Sequence, residues 1–224
     1  MLVPLQSDIG LISQNYQLNA QMTDYLKILF LIIRNLFFLL TALTESVIFF
    51  PVLLHFSKMT KTPGLRPMTK EDVAGLHSLL QAYFRKFHLS PILSLLEVEH
   101  WLLPRDNVID TYVVEGDDGT LTDMVSFYGV SFRVLNHPVH TGLRAAHLLY
   151  FASTVTDPVE LMEDTLVLAK SKGFDIFSAL DVMDNKSFLE KLKFSINDTS
   201  LHYYLYNWMC PNVSPDKVGL VLPN

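Results

Sequence analysis

The sequence predicts an α/β fold in which helices flank a mixed β-sheet. Three observations predict it: an apolar helical periodicity begins near residue 70, a hairpin signal follows, and strand and helix patterns then alternate towards the end of the chain. At 224 residues the chain is long enough to bury a substantial core. It contains no internal repeat and no low-complexity tract.

Charged side chains are distributed unevenly along the chain. Residues 1–60 hold only six of them, which sum to zero, whereas the remaining residues carry the whole net charge of −6. A modestly acidic domain lacks the clustered Lys and Arg side chains that nucleic-acid binding requires. The single cysteine, Cys210, excludes an intramolecular disulfide and is typical of a reducing compartment. We interpret it as a structural residue.

The composition divides the chain into residues 1–25, which are polar and expected to be loose, an apolar helical segment at 26–60, and a domain at 61–224. The apolar run at 26–56 is long enough to span a bilayer, for which about 20 residues suffice. Arg34 and Glu45 oppose insertion, and a central Arg costs about 2.5–3.5 kcal/mol. Two interpretations stay open: a membrane-associated segment, or a helix that packs on the domain and ends at Pro51.

Helical signals open the domain. Residues 61–67 are rich in turn formers and mark its boundary. Thr69, with Asp72 three residues later, predicts a helix start. Apolar residues then follow helical spacing, at Val73, Leu76, Leu79, Leu80, Tyr83, Phe84 and Phe87. A second short helix is predicted over residues 95–103, before Pro104.

Strand signals follow the two helices. Residues 108–115 and 122–134 are predicted strands joined by a turn at 116–119, where Asp117 and Asp118 are turn residues rather than a cation site. Pro158 and Gly173 bracket a predicted helix at residues 158–172. The other predicted elements are strands at 148–154, 175–180 and 201–207 and a short helix at 186–192.

Several residue stretches between Thr62 and Leu222 occur in an order that indicates a family. They are residues 63–68, 98–101, 126–128, 136–138, 172–175, 188–194, 203–207 and 219–222. Together they resemble the C-terminal half of the eukaryotic glycylpeptide N-tetradecanoyltransferases, also called N-myristoyltransferases. The resemblance implies an acetyltransferase-like mixed sheet flanked by helices, preceded here by the apolar N-terminal helical segment.

The resemblance also implies an activity, the transfer of a myristoyl group from myristoyl-CoA to the N-terminal glycine of target proteins. Myristoyl-CoA would be the co-substrate, with no bound cofactor and no metal, and the expected location is the cytoplasm, with membrane contact through residues 26–56 as an option. In the family the N-terminal half holds myristoyl-CoA, and the C-terminal half supplies much of the peptide groove. Residues 1–60 do not resemble that N-terminal half, so the activity of this chain alone is expected to be weak or absent.

The implied catalytic group is the terminal carboxylate of Asn224. An α-amino group has a pKa of about 7.7–8.0 and must lose a proton before it attacks a thioester, and an α-carboxylate stays ionised and can accept that proton. Pro223 and Asn224 extend the chain by about one residue beyond the family pattern, which can move the carboxylate by about 3.3–3.6 Å.

The implied substrate-binding residues are Asp198, Leu201 and Leu222. Asp198 either binds a basic group of the substrate or bonds its own backbone in a turn. Leu201 either lines the groove or belongs to the core. His137 and His140 lack a third ligand nearby and are interpreted as ordinary loop residues rather than a metal site. The three glycosylation sequons, which begin at Asn185, Asn197 and Asn212, are interpreted as chance occurrences.

The sequence departs from the family pattern at groove positions. Asn197 and Thr199 replace two glycines around Asp198, residues 130–133 replace a Leu-Pro-Ser-Thr stretch, His147 replaces a tyrosine, and Ser178 replaces an asparagine. Scaffold positions agree while these positions differ, which favours a degenerate site. The alternative function is therefore a non-catalytic peptide-binding or scaffold protein derived from the family.

Overall fold

The computed structural model describes residues 13–19, 59–133, 142–201, 203 and 211–221. The strands are β1 Ser13–Asn19, β2 Leu65–Pro67, β3 Ile109–Glu115, β4 Leu121–Arg133, β5 Gly142–Ala152, β6 Ile176–Leu180 and β7 Ser195–Leu201. The α-helices are α1 Val73–Phe84, α2 Leu95–Leu102, α3 Pro158–Ser171 and α4 Lys186–Leu189. Short 3-10 helices occupy Lys70–Asp72 and Pro215–Lys217.

The strands form one mixed sheet in the order β2-β3-β4-β5-β6-β1-β7. Neighbouring strands are antiparallel except β5 and β6, which are parallel. The parallel ladder is short: it runs from the pair Ala145 and Ile176 to the pair His147 and Ser178. Beyond that last pair β5 continues along β4 and β6 continues along β1. The two strands therefore stop pairing with each other at His147 and Ser178.

The sheet lies between two helical layers. Helices α3 and α4 bury one face around four phenylalanines, Phe127, Phe151, Phe177 and Phe188. Helices α1 and α2 bury the other face around Leu76, Leu80, Leu102 and Met124. Each fully buried side chain of this size stabilises the fold by about 1.5–3 kcal/mol. The predicted architecture of a mixed sheet flanked by helices is confirmed.

Turn and capping residues close in sequence account for most boundaries of the helices and strands. The hairpin between β3 and β4 turns at Gly119, which has φ +77°, and Asp118 Oδ1 accepts a hydrogen bond of 3.0 Å from Thr120 N. Thr69 N donates to Asp72 Oδ2 at 2.7 Å, so the predicted helix start is confirmed. At the start of α3 Asp157 Oδ1 accepts from Val159 N at 2.8 Å, and Gly173 follows its end with φ +78°.

One prediction about the first segment is wrong. Within the segment expected to be loose, β1 pairs with both β6 and β7. A strand held through backbone hydrogen bonds needs no apolar alternation, so its polar sequence does not reveal it. Strand β7 covers Ser195–Leu201 and pairs with β1, while most of the strand predicted at 201–207 lies outside the described residues. Strand β5 also begins earlier than predicted, at Gly142.

The apolar segment at 26–56 lies outside the described residues, as do Cys210, His137 and His140. Among the helices that the structure does describe, none has the length and hydropathy to cross a membrane. The expectations for residues 26–56 therefore stay predictions.

Candidate functional site

The last described segment of the chain, residues 211–221, packs on the sheet face that carries α1 and α2. Gly219 N donates to Leu89 O at 2.7 Å, and Val218 forms a β-bridge with Leu89. On the other side of this segment, Met183 N donates to Val218 O at 3.2 Å. Val218 is completely buried. The segment is therefore held between the loop after α1 and the loop after β6, and we call it the C-terminal tail.

The C-terminal tail leads into the core at Val221. This residue is buried in the same cluster as Tyr150, and its backbone hydrogen-bonds the Tyr150 hydroxyl. Burial raises the pKa of Tyr150 to about 12, against the opposing effect of that hydrogen bond. The Tyr203 hydroxyl donates to Leu220 O at 3.0 Å. Residues 220 and 221 thus have fixed positions a few residues before Asn224.

Gly219 allows the tail to lie this close. A Cβ on this residue would come within 2.6 Å of Phe87 Cδ2, a separation that real side chains do not show. The absence of a side chain at Gly219 therefore lets its backbone reach Leu89.

The structure places the predicted site residues in two groups. Leu222 and Asn224 follow the tail directly but lie outside the described residues. Asp198 and Leu201 belong to β7, where Leu201 pairs with Ser13. Asp198 lies on β7 where the pairing between β1 and β7 changes register. The roles of all four residues stay predictions.

A second group of polar residues spans three adjacent strands. Tyr128 on β4 pairs with His147 on β5, which pairs with Ser178 on β6. Ser178 Oγ lies 2.6 Å from His147 Nδ1, and the Tyr128 and His147 rings stack with centroids 5.2 Å apart. Two departures from the family pattern are therefore in direct contact. The sequence indicates each departure but not their contact, because only the register of β5 and β6 brings the two side chains together.

A polar cavity of about 210 Å³ lies at another part of the domain, lined by Asp106, Asn107, Asp110, Arg144, Lys172 and Phe174. Lys172 forms an ion pair with Asp110. The Arg144 guanidinium donates to Lys172 O at 2.8 Å and lies 4.6 Å from the centre of the Phe174 ring. These contacts hold the residues that follow the C-terminal end of α3, so we interpret the cavity as part of the packing there and not as a binding site.

Two minor predictions concern modification and metal sites. Asn185, which begins one sequon, is only 2% exposed, so this residue is inaccessible to glycosylation in the folded domain. In the described part of the chain no three His, Cys, Asp or Glu side chains cluster closely enough to hold a metal ion.

The sheet is mixed, contains a short parallel pair whose strands then separate, and carries helices on both faces. These features define an acetyltransferase-like domain. The solved structure of a predicted acetyltransferase with acetyl-CoA from Clostridium acetobutylicum shares this fold, with a TM-score of 0.50 at 15% identity over 62% of this chain and 94% of that chain. The family model for the C-terminal domain of myristoyl-CoA:protein N-myristoyltransferase matches residues 51–221. The chain belongs to this family.

Curated relatives and a solved structure agree with the family match. Glycylpeptide N-tetradecanoyltransferase 2 of Danio rerio is 56% identical over 73% of this chain and 33% of its own length. The Drosophila melanogaster glycylpeptide N-tetradecanoyltransferase is 42% identical over 72% of this chain and 34% of its own length. The Saccharomyces cerevisiae N-myristoyltransferase with bound myristoyl-CoA superposes with a TM-score of 0.77 at 27% identity, covering 94% of this chain and 54% of that chain. The chain thus spans about a third of the length of these curated relatives.

Proposed function

We propose that this chain supplies the peptide-binding half of a protein N-myristoyltransferase reaction. In that reaction the N-terminal glycine amine of a target protein attacks the thioester carbonyl of myristoyl-CoA. An amide bond forms, the carbon–sulfur bond breaks, and the CoA thiol leaves. The amine must lose a proton for this attack, and we assign its acceptance to the terminal carboxylate of Asn224.

The position of the C-terminal tail carries this proposal. Val221 is fixed beside Tyr150, and three more residues can span at most about 10 Å. A carboxylate at Asn224 would therefore lie within about 10 Å of Val221. This arrangement fits a base that accepts a proton from an amine bound nearby. Asp198, Leu201 and Leu222 are proposed to line the peptide site.

A binding and turnover experiment tests the proposal. The purified chain is titrated by calorimetry with a glycine-initiated peptide, with the same peptide beginning with alanine, and with myristoyl-CoA. We expect saturable binding of the glycine peptide, much weaker binding of the alanine peptide, no binding of myristoyl-CoA, and negligible transfer between the two substrates. Equal binding of the two peptides, or of neither, would contradict a glycine-specific site.

The departures from the family pattern support a second candidate function. Because His147 and Ser178 replace family residues and are in direct contact, a non-catalytic peptide-binding or scaffold role is consistent with the same fold. Tight binding of myristoyl-CoA together with turnover would exclude this role. Peptide binding without turnover, even after an N-terminal half from a relative is added, would support it.

The location of the protein is a separate proposal. We propose the cytoplasm, which fits a chain with a single cysteine. Membrane contact through residues 26–56 is tested by carbonate extraction of membranes from cells that express the full chain. Release into the supernatant would remove the proposal of membrane insertion.

A further inference from the structure

The contact between Ser178 and His147 fixes the orientation of an imidazole ring. Ser178 is 5% exposed, and its Oγ lies 2.6 Å from His147 Nδ1. The Tyr128 ring stacks on the imidazole at an interplanar angle of 21°. His147 itself is half-buried, and among the described residues its Nε2 atom has no hydrogen-bond partner. Within the described part of the chain, one ring nitrogen is therefore held by Ser178 and the other has no partner.

This imidazole lies on the sheet face that receives the C-terminal tail. Tyr128 packs against the same apolar cluster that contains Tyr150 and Val221. His147 stacks on Tyr128 and occupies the last pair of the parallel ladder, where β5 and β6 stop pairing. A ligand bound on this face would therefore meet His147 at the end of the parallel ladder.

The charge state of His147 follows from its surroundings. Burial lowers the pKa of His147. Of the titratable groups on this face, Tyr128 faces the ring from β4 and Tyr150 lies on the same strand, while β6 contributes the Ser178 hydroxyl. The ring is thus neutral near pH 7 and carries one proton. If the Ser178 hydroxyl donates to Nδ1, that proton is on Nε2, which is then a donor.

We infer that His147 Nε2 donates a hydrogen bond to an acidic side chain of the bound peptide, and that Ser178 positions the ring for this contact. The inference rests on the proposed function, because it assigns a preference to the same peptide site. A carboxylate beside the imidazole favours its protonated form. Peptide binding is then linked to proton uptake, and the affinity for an acidic peptide rises as the pH falls.

Matched peptides test this inference. Two sets of glycine-initiated peptides are compared. In one set a single Glu is placed at each position after the glycine in turn, and in the other set a single Gln is placed at the same positions. Dissociation constants are measured by fluorescence anisotropy at pH 8 and pH 5.5, where the glutamate itself stays ionised because its pKa is about 4.3. At one position we expect the Glu peptide to bind about tenfold more tightly at the lower pH, as a shift of one pKa unit implies. The Gln peptide should show no such change.

Two variants separate this role from a structural one. His147→Gln cannot titrate and should remove the pH dependence, whereas the exposed His100→Gln should leave it intact. Ser178→Ala removes a donor to the neutral ring, so the pKa of His147 measured by NMR should rise. Far-UV circular dichroism checks that each variant is folded.

The outcomes distinguish a failure of the proposed function from a failure of the inference about His147. If no glycine peptide binds at either pH, the proposed function fails and the inference fails with it. If glycine peptides bind but the Glu and Gln series behave alike, the proposed function stands and the inference is overturned. A fall in the pKa of His147 in Ser178→Ala would show that Nδ1 is the donor and would also overturn it.

Discussion

Gly219 is the residue on which the course of the C-terminal tail depends. Its backbone donates to Leu89 at 2.7 Å, and a Cβ would come within 2.6 Å of the Phe87 ring. Phe87 is buried and packs edge-on against Tyr83, so its ring has little room to move. A side chain at Gly219 would therefore push the tail away from Leu89.

Gly219→Ala should lower the free energy of unfolding by about 1–3 kcal/mol, the usual cost of adding a methyl group to a packed core. Chemical denaturation measures the loss. Gly142→Ala is the matched control, because a Cβ there meets Phe132 O at an ordinary 3.6 Å. If both variants were as stable as the parent chain, the close approach at Gly219 would not constrain the tail.

The candidate site could be predicted from the sequence only in part. The sequence indicates that His147 and Ser178 differ from the family pattern, since this needs only a comparison of residues. It cannot indicate that the two side chains are bonded, because they are 31 residues apart and meet only through the parallel register of β5 and β6. Register depends on tertiary packing, which a single sequence does not specify here.

At the scale of elements, a cluster of charges fixes the start of α1. Arg66 Nη1 and Nη2 bond the two carboxylate oxygens of Asp72 at 2.7 and 2.8 Å, and Arg66 Nε bonds Glu115 at 2.7 Å. Asp72 also accepts from Thr69 N at 2.7 Å. The cluster thus joins the helix start to β2 and β3.

The Arg66 contact makes stability depend on acid pH. Hydrogen bonding by Arg66 lowers the pKa of Asp72 from its ordinary 3.8 to about 2, although burial opposes the shift. Since the pKa is lower in the folded state, the contribution to stability is present above pH 4 and is lost as the pH falls from about 4 to about 2. We expect a loss of about 1–2 kcal/mol in this window, reduced by the partial exposure of Arg66.

Asp72→Asn should be less stable at pH 7 and should flatten the stability profile between pH 4 and pH 2, as measured by urea denaturation at each pH. Glu115→Gln changes the more exposed partner of Arg66 and should leave the dependence of stability on pH largely unchanged. An unchanged profile in Asp72→Asn would mean that other carboxylates cause the acid dependence.

Elements with local signals could be predicted, and elements held by distant partners could not. The hairpin turn, the Pro158 start of α3 and the Gly173 position after its end depend on residues next to each other in the chain. Strands β1 and β2 gave no signal, because each is defined by backbone pairing with a distant strand.

At the scale of the whole molecule, one buried carboxylate connects the segment before β2 to helix α3. Asp164 on α3 is 1% exposed. Its oxygens accept hydrogen bonds from Lys61 N at 2.8 Å and from Thr62 N at 2.7 Å. The neighbouring Glu163 bonds the Lys61 ammonium at 3.1 Å on the surface. Asp164 therefore fixes the backbone at residues 61 and 62, just before β2.

Asp164→Asn should lower the free energy of unfolding by about 2 kcal/mol, because an amide group cannot accept from both backbone N–H groups without bringing its own donor against one of them. The matched change Glu163→Gln should cost less than about 0.5 kcal/mol, as expected for an exposed ion pair. Trypsin provides a second measurement: cleavage after Lys61 should be faster in Asp164→Asn than in Glu163→Gln, since only the former releases the backbone at residues 61 and 62. Equal cleavage rates and equal stabilities of the two variants would show that the position of residues 61 and 62 does not depend on this carboxylate.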